Sequence, residues 1–125
     1  RMVILGSGVD IIEIERVAKT FSTRKKKERV FTEKEIERIG ELNKASLAGC
    51  FAAKEACSKA LGTGIRGISF TDMEVLKDEM GKPYFNEELL MPHLKRVFGD
   101  RHMAVHLSLS HDKERAVAMV IIEEV

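Results

Sequence analysis

Lys54, Glu55 and Lys59 stand within Phe51-Ala52-Ala53-Lys54-Glu55-Ala56-Cys57-Ser58-Lys59-Ala60-Leu61, a segment otherwise suited to burial. Charges in such a place need partners. At about 100° per residue, Glu55 and Lys59 share a helix side with Ala48 and Ala52, whose small side chains leave room for a close approach. The same two residues also fit an ordinary i, i+4 surface pair worth about 0.2–0.5 kcal/mol. Asp10 follows the apolar run Val3-Ile4-Leu5 and the glycines Gly6 and Gly8. Its carboxylate suits a hard cation held jointly with a second carboxylate such as Glu55, while Asp10-Ile11-Ile12-Glu13 equally has the form of a helix cap with an acid at the third helical position. Two carboxylates do not build a full cage for magnesium. They suffice where waters and substrate phosphates complete the octahedron, as in phosphoryl-transfer sites. Ser110 and His111, at the mouth of a turn, offer a place for a phosphate; His106 and His111 read equally well as half-exposed strand positions. Gly62-Thr63-Gly64 and Gly81-Lys82-Pro83 add backbone N–H groups and a lysine for a phosphorylated ligand. The sequence contains no Walker loop, dinucleotide fingerprint, zinc spacing or Gly-x-Ser-x-Gly elbow.

The elements that must hold these residues follow from the periodicity. Val3-Ile4-Leu5 predicts a buried first strand with a flexible, close-approach exit at Gly6-Ser7-Gly8-Val9-Asp10, and Ile11, Ile14, Val17, Ala18 and Phe21 predict a helix just beyond it. Thr32-Glu33-Lys34-Glu35 is a capping box and opens a helix to about Leu42. Lys44 to Leu61, with six alanines and no proline, has small or apolar residues all round and belongs in the middle of the fold. Gly62 ends it. Ile68, Phe70, Met73 and Val75 predict a strand, the turn at Glu79 to Pro83 reverses it, and Tyr84-Phe85 is a short return strand. Asn86 caps a helix to Phe98-Gly99 that must accommodate Pro92. Val105, Leu107 and Leu109 alternate with polar residues, and Arg115 to Ile122 is apolar on both faces, as in a central strand. The reading is an α+β domain, an antiparallel sheet packed around a long central helix, with one domain across residues 1–125.

Composition narrows the class. At 125 residues, 44% hydrophobic and 33% charged, the chain fits one core and lies far from the disordered corner. Its longest apolar run, Ala116 to Ile122, is far short of the roughly 20 residues that span a bilayer. No charged stretch leads into an apolar segment at the start, and Arg1 reads as an addition ahead of a native Met2, so a cytoplasmic protein without membrane contact is expected. Cys50 and Cys57, about 10 Å apart along a helix, cannot be bridged and read as reduced buried thiols. Residues 1–30 carry eight Lys and Arg against four acids in a chain whose net charge is only +1. The run Arg24-Lys25-Lys26-Lys27 is then either a solvated face or a docking patch for an acidic partner.

Together these pieces resemble the holo-acyl-carrier-protein synthases, the small bacterial 4′-phosphopantetheinyl transferases. The likeness runs from Gly8-Val9-Asp10-Ile11-Ile12-Glu13-Ile14-Glu15-Arg16, through Phe31-Thr32-Glu33-Lys34-Glu35 and Phe51-Ala52-Ala53-Lys54-Glu55-Ala56-Cys57-Ser58-Lys59-Ala60-Leu61-Gly62-Thr63-Gly64-Ile65, to Gly81-Lys82-Pro83-Tyr84 and His106-Leu107-Ser108-Leu109-Ser110-His111-Asp112. It implies the 4′-phosphopantetheinyl transferase fold and transfer of phosphopantetheine from coenzyme A to a serine of an acyl carrier protein in fatty acid biosynthesis, releasing adenosine 3′,5′-bisphosphate. By resemblance Asp10 and Glu55 are magnesium ligands and Lys59 meets the pyrophosphate or departing phosphate, while Glu55 or a water at the ion takes the serine proton. Gly62, Gly81, Lys82, Pro83, Ser110 and His111 match positions lining the nucleotide. The resemblance further implies a homotrimer with sites between protomers and a basic first helix that receives the carrier; Arg16 matches, and Arg24, Lys25 and Lys27 supply similar charge. One departure is Cys50, where the family usually has Arg, so no contact of that arginine carries over.

Two other classes fit parts of the pattern. A magnesium phosphohydrolase would use the same three charged residues but pass the phosphoryl group to water. A nucleic-acid-binding module would rest on Arg16 to Arg29, but that run lacks the interleaved aromatics of single-strand binders.

Overall fold

The computed structural model describes residues 3–62 and 67–125. The order of elements is β1 (Val3–Glu13), α1 (Ile14–Thr20), α2 (Arg24–Lys27), α3 (Glu33–Ile39), α4 (Lys44–Leu61), a 3-10 turn (Phe70–Asp72), β2 (Val75–Lys77), β3 (Pro83–Phe85), α5 (Glu87–Phe98), β4 (Met103–His111) and β5 (Arg115–Glu124). β5 lies between β1 and β4 in an antiparallel three-stranded sheet, and β2 pairs with β3 separately. The long helix α4 packs on the inner face of the larger sheet. Ala52, Ala53, Ala56 and Cys57 of α4 are buried against a core that includes Leu107, Ala118 and Val120 of the sheet. This is the expected α+β arrangement, with β5 as the central strand.

The first strand departs from the sequence reading. β1 does not exit at Gly6-Ser7-Gly8 but continues to Glu13, paired with β5 from Gly6↔Ile122 to Glu13↔Arg115. Val9, Ile11 and Ile12 favour the extended backbone, and pairing with β5 bonds the strand along one of its edges. The glycines serve packing, not flexibility. A Cβ at Gly6 would lie 2.1 Å from the Ala60 carbonyl oxygen, and one at Gly8 would lie 2.0 Å from that of Ala56. With the strand's period of two, Gly6, Gly8 and Asp10 share the inward face, so the glycines bring Asp10 down onto α4. Asp10 therefore lies mid-strand. It caps no helix: Glu13 occupies the cap position of α1 and makes no side-chain capping bond.

Two boundaries differ for other reasons. α3 stops at Ile39, short of Leu42, because Gly40 adopts φ +73° and ends it. The expected strand from Ile68 begins only at Val75. Before it the chain makes the 3-10 turn, capped by the Ser69 hydroxyl accepting from Thr71 N, and the carbonyls of Phe70 and Met73 accept from buried Lys54 at 2.8 and 3.1 Å. Those carbonyls have a side-chain donor in place of a sheet partner. Both cysteines are free and buried as expected. Burial raises both thiol pKa values, Cys57 to about 12, and the Glu35 charge pushes Cys50 up further. Both are inert thiols. Among the described residues no helix is long and apolar enough to cross a membrane.

Candidate active site

Asp10, Glu55 and Lys59 come together where β1 crosses the second half of α4. Lys59 Nζ donates to Asp10 Oδ1 at 2.9 Å and to the Val9 carbonyl at 3.0 Å. The surface i, i+4 reading is thereby corrected: Lys59 bonds across to β1, because the glycines bring the strand within reach of a lysine that Glu55 does not hold. Asp10 Oδ2 is buried and has no hydrogen-bond partner among the described residues. Burial raises the Glu55 pKa, the nearby charge of Asp10 raises it further, and Lys59 opposes both. One carboxylate oxygen without a partner beside a second carboxylate it repels is an arrangement that a divalent cation relieves. No group of three or more His, Cys, Asp or Glu is gathered among the described residues, so protein ligands alone do not complete a cage.

A second set lies on the other flank of α4. A groove of about 240 Å³ is lined by Gly81, Pro83, Ser110 and His111, together with Gly49 and Cys50 of α4. Arg38 and Lys77 also line it, and no sequence pattern singled them out. Asp10 lies on β1 and Ser110 and His111 on β4, opposite edges of the sheet, so one protomer does not bring the two sets into one pocket. Lys82 is exposed on the β2–β3 turn. That turn does not offer the free N–H groups expected of it. Asp78 accepts from Met80 N and Lys82 N through its carboxylate and from Gly81 N through its carbonyl, which leaves the Lys82 side chain as the available donor. Gly62 likewise has its N–H bonded to the Lys59 carbonyl. Thr63 and Gly64 lie outside the described residues.

The basic surface is divided differently from the single helix expected. Arg16 is exposed on α1, whereas Arg24, Lys25 and Lys27 belong to the separate four-residue α2. Arg24 is engaged by Glu28 and Glu33. Arg16 and Arg115 flank a groove of about 460 Å³ floored by Ile12, Val17, Phe21 and Phe51. Cys50 donates its thiol to Glu35 Oε2 at 3.1 Å.

The model of the 4'-phosphopantetheinyl transferase superfamily matches residues 6–120. Holo-(acyl-carrier-protein) synthases of Clostridium perfringens and Alkaliphilus metalliredigens are 44% and 47% identical to the chain, over 96% and 94% of it and 94% and 98% of their own lengths. The solved structure of a holo-(acyl-carrier-protein) synthase from Bacillus anthracis in complex with CoA (3',5'-ADP) is 42% identical, with a TM-score of 0.77 and full coverage of both chains. That from Helicobacter pylori in complex with coenzyme A is 32% identical, with a TM-score of 0.73 over 93% of this chain and 98% of that one. The chain belongs to the 4′-phosphopantetheinyl transferase superfamily, within the holo-acyl-carrier-protein synthase family of enzymes.

Proposed function

We propose that this protein transfers the 4′-phosphopantetheine group of coenzyme A to a serine hydroxyl of an acyl carrier protein, with magnesium held between Asp10 and Glu55 and adenosine 3′,5′-bisphosphate released. The observation that carries the reading is the buried Asp10 Oδ2, without a partner among the described residues, beside Glu55 and Lys59 in a chain of this family. The relatives from B. anthracis and H. pylori, whose structures hold the coenzyme or its nucleotide, support the choice of donor. A magnesium ion there would neutralise charge on the pyrophosphate.

The chain's own groups account for the rest. Asp10 Oδ1 orients the Lys59 ammonium, which faces the charge that grows on the departing nucleotide as the P–O bond to it breaks and the serine O–P bond forms. Glu55 or a water at the ion would accept the serine proton. Gly62, Gly81, Lys82, Pro83, Ser110 and His111 would line the nucleotide, with Arg38 and Lys77 as the groove's further cations now that Cys50 is a buried thiol.

The two sets lie on opposite flanks of α4, which supports a homotrimer in which the groove of one protomer meets the Asp10–Glu55 side of its neighbour. The outer face of the sheet, with exposed Ile4, Val9, Ile11 and Met119, is the apolar surface such an assembly would cover. Arg16, Lys25 and Lys27 would receive the acidic carrier, with the apolar floor near Phe21 as its seat. The protein is proposed to act in the cytoplasm, in fatty acid biosynthesis.

Incubation with coenzyme A, Mg2+ and an apo carrier is expected to add about 340 Da to the carrier in mass spectrometry, the mass of the transferred group. Asp10→Asn and Glu55→Gln are expected to abolish the shift while the fold persists. An unmodified carrier with the wild-type protein, alongside phosphate release from coenzyme A, would establish a phosphohydrolase instead.

A further inference from the structure

Lys54 and Glu35 are both 0% exposed, with Lys54 Nζ 2.9 Å from Glu35 Oε1. The ammonium donates to the carbonyls of Phe70 and Met73 at 2.8 and 3.1 Å and forms its ion pair with Glu35 beside them. The carboxylate is equally engaged. Its Oε1 also accepts from Thr32 N at 2.8 Å, and its Oε2 accepts from Val75 N at 2.7 Å and the Cys50 thiol at 3.1 Å. Apolar side chains of similar volume often hold a core as well as a buried ion pair does. Apolar contact is non-directional, whereas these hydrogen bonds hold α4 at one rotation and one height against α3, the 3-10 turn and β2.

The next residue along α4, about 100° round the helix, is Glu55. Lys54 anchors one flank of the helix while Glu55 presents its carboxylate to Asp10 on the other. Metal ligands tolerate errors of only roughly 0.2 Å, so a small turn or slide of α4 is enough to spoil the pair. We infer that the Lys54–Glu35 pair is a positioning device for the reaction, aiming Glu55 at Asp10 by fixing the rotation of α4. This rests on the proposed role of Asp10 and Glu55 as ligands of a divalent cation.

The test follows free Mn2+ by its electron paramagnetic resonance signal in the presence of coenzyme A, together with kcat, the KM for the carrier and thermal melting. Two variants perturb the pair: E35L/K54M replaces it with apolar groups, and E35D keeps the charge but shortens the reach. Both are expected to remain folded and to bind Mn2+ about tenfold or more weakly, as is usual when support behind a ligand is lost. Their kcat should fall in step while the KM for the carrier holds. Leu94→Ala, a core cavity outside the network, should melt earlier yet bind Mn2+ as the wild type does. Wild-type Mn2+ affinity in the folded pair variants overturns the inference, as does an unfolded double variant accompanied by an E35D that binds normally, or equal weakening in Leu94→Ala. A wild-type protein that takes up no Mn2+ refutes instead the metal reading on which the inference rests.

Discussion

The two oxygens of Asp10 are used differently: Oδ1 accepts from Lys59, and Oδ2 is left buried without a partner among the described residues. Lys59→Met removes the cation that offsets charge on the leaving group, and a kcat lower by about 10²–10³ is expected in the carrier mass-shift assay, the usual cost of deleting one such donor. Glu74 makes a prediction about pH. Burial alone would raise its pKa, but hydrogen bonds from Asn86 and Thr32, with the charges of Lys34 and Lys54, outweigh burial and leave it below the ordinary 4.5. A lowered carboxylate pKa contributes stability that is present above the unfolded value and lost as pH falls through the folded one. Thermal melts of Glu74→Gln should therefore lie below the wild type near neutral pH, with the gap closing below about pH 4.5. A gap that persisted unchanged at pH 3 would show that charge is not what Glu74 contributes.

Among the elements, the contact between β1 and α4 decides whether a site forms, and it depends on side chains that are missing. Gly8→Ala places a methyl 2.0 Å from the Ala56 carbonyl, which only separation of strand and helix can relieve. A loss of about 1–3 kcal/mol or more in urea unfolding is expected, with turnover lost as Asp10 is lifted from Glu55 and Lys59. Gly49 offers the contrast on the same helix. A Cβ there meets only Leu109 Cδ1 at 3.7 Å, an ordinary contact, so Gly49→Ala should stabilise by about 0.5–1 kcal/mol through helix propensity. If both substitutions shifted the unfolding midpoint equally, the close approach would not be what Gly8 is for.

For the whole molecule, the expectation is that catalysis and assembly stand or fall together. Met119 projects from the centre of the outer sheet face, opposite Val9 in the β1–β5 register, and is 45% exposed. Met119→Lys should convert the proposed trimer to smaller species on a sizing column and lower activity at dilute enzyme concentrations. A variant that is monomeric yet fully active would place the whole site within one chain. Charge reversal at Arg16, exposed on α1, should raise the KM for an acidic carrier with kcat nearly unchanged, and the effect should shrink with added salt.

Much of this architecture is legible from local pattern alone. The all-round small residues mark α4 as Lys44–Leu61, the Thr32 and Asn86 caps open their helices, and the two-sided apolar run marks β5 as central. The Asp10, Glu55 and Lys59 chemistry is also visible as residue types and motif. The direct contacts these residues make in the fold were not visible. Gly6 and Gly8 look like a break in a strand until a helix lies 2 Å from where their side chains would be. Lys59 looks paired with Glu55 until β1 arrives beside it, and nothing in the spacing of Glu35 and Lys54 joins them. Periodicity and capping act over a few residues and so can be read along the chain. Which charge meets which is decided by packing between elements far apart in sequence, and that exists only once the chain has folded.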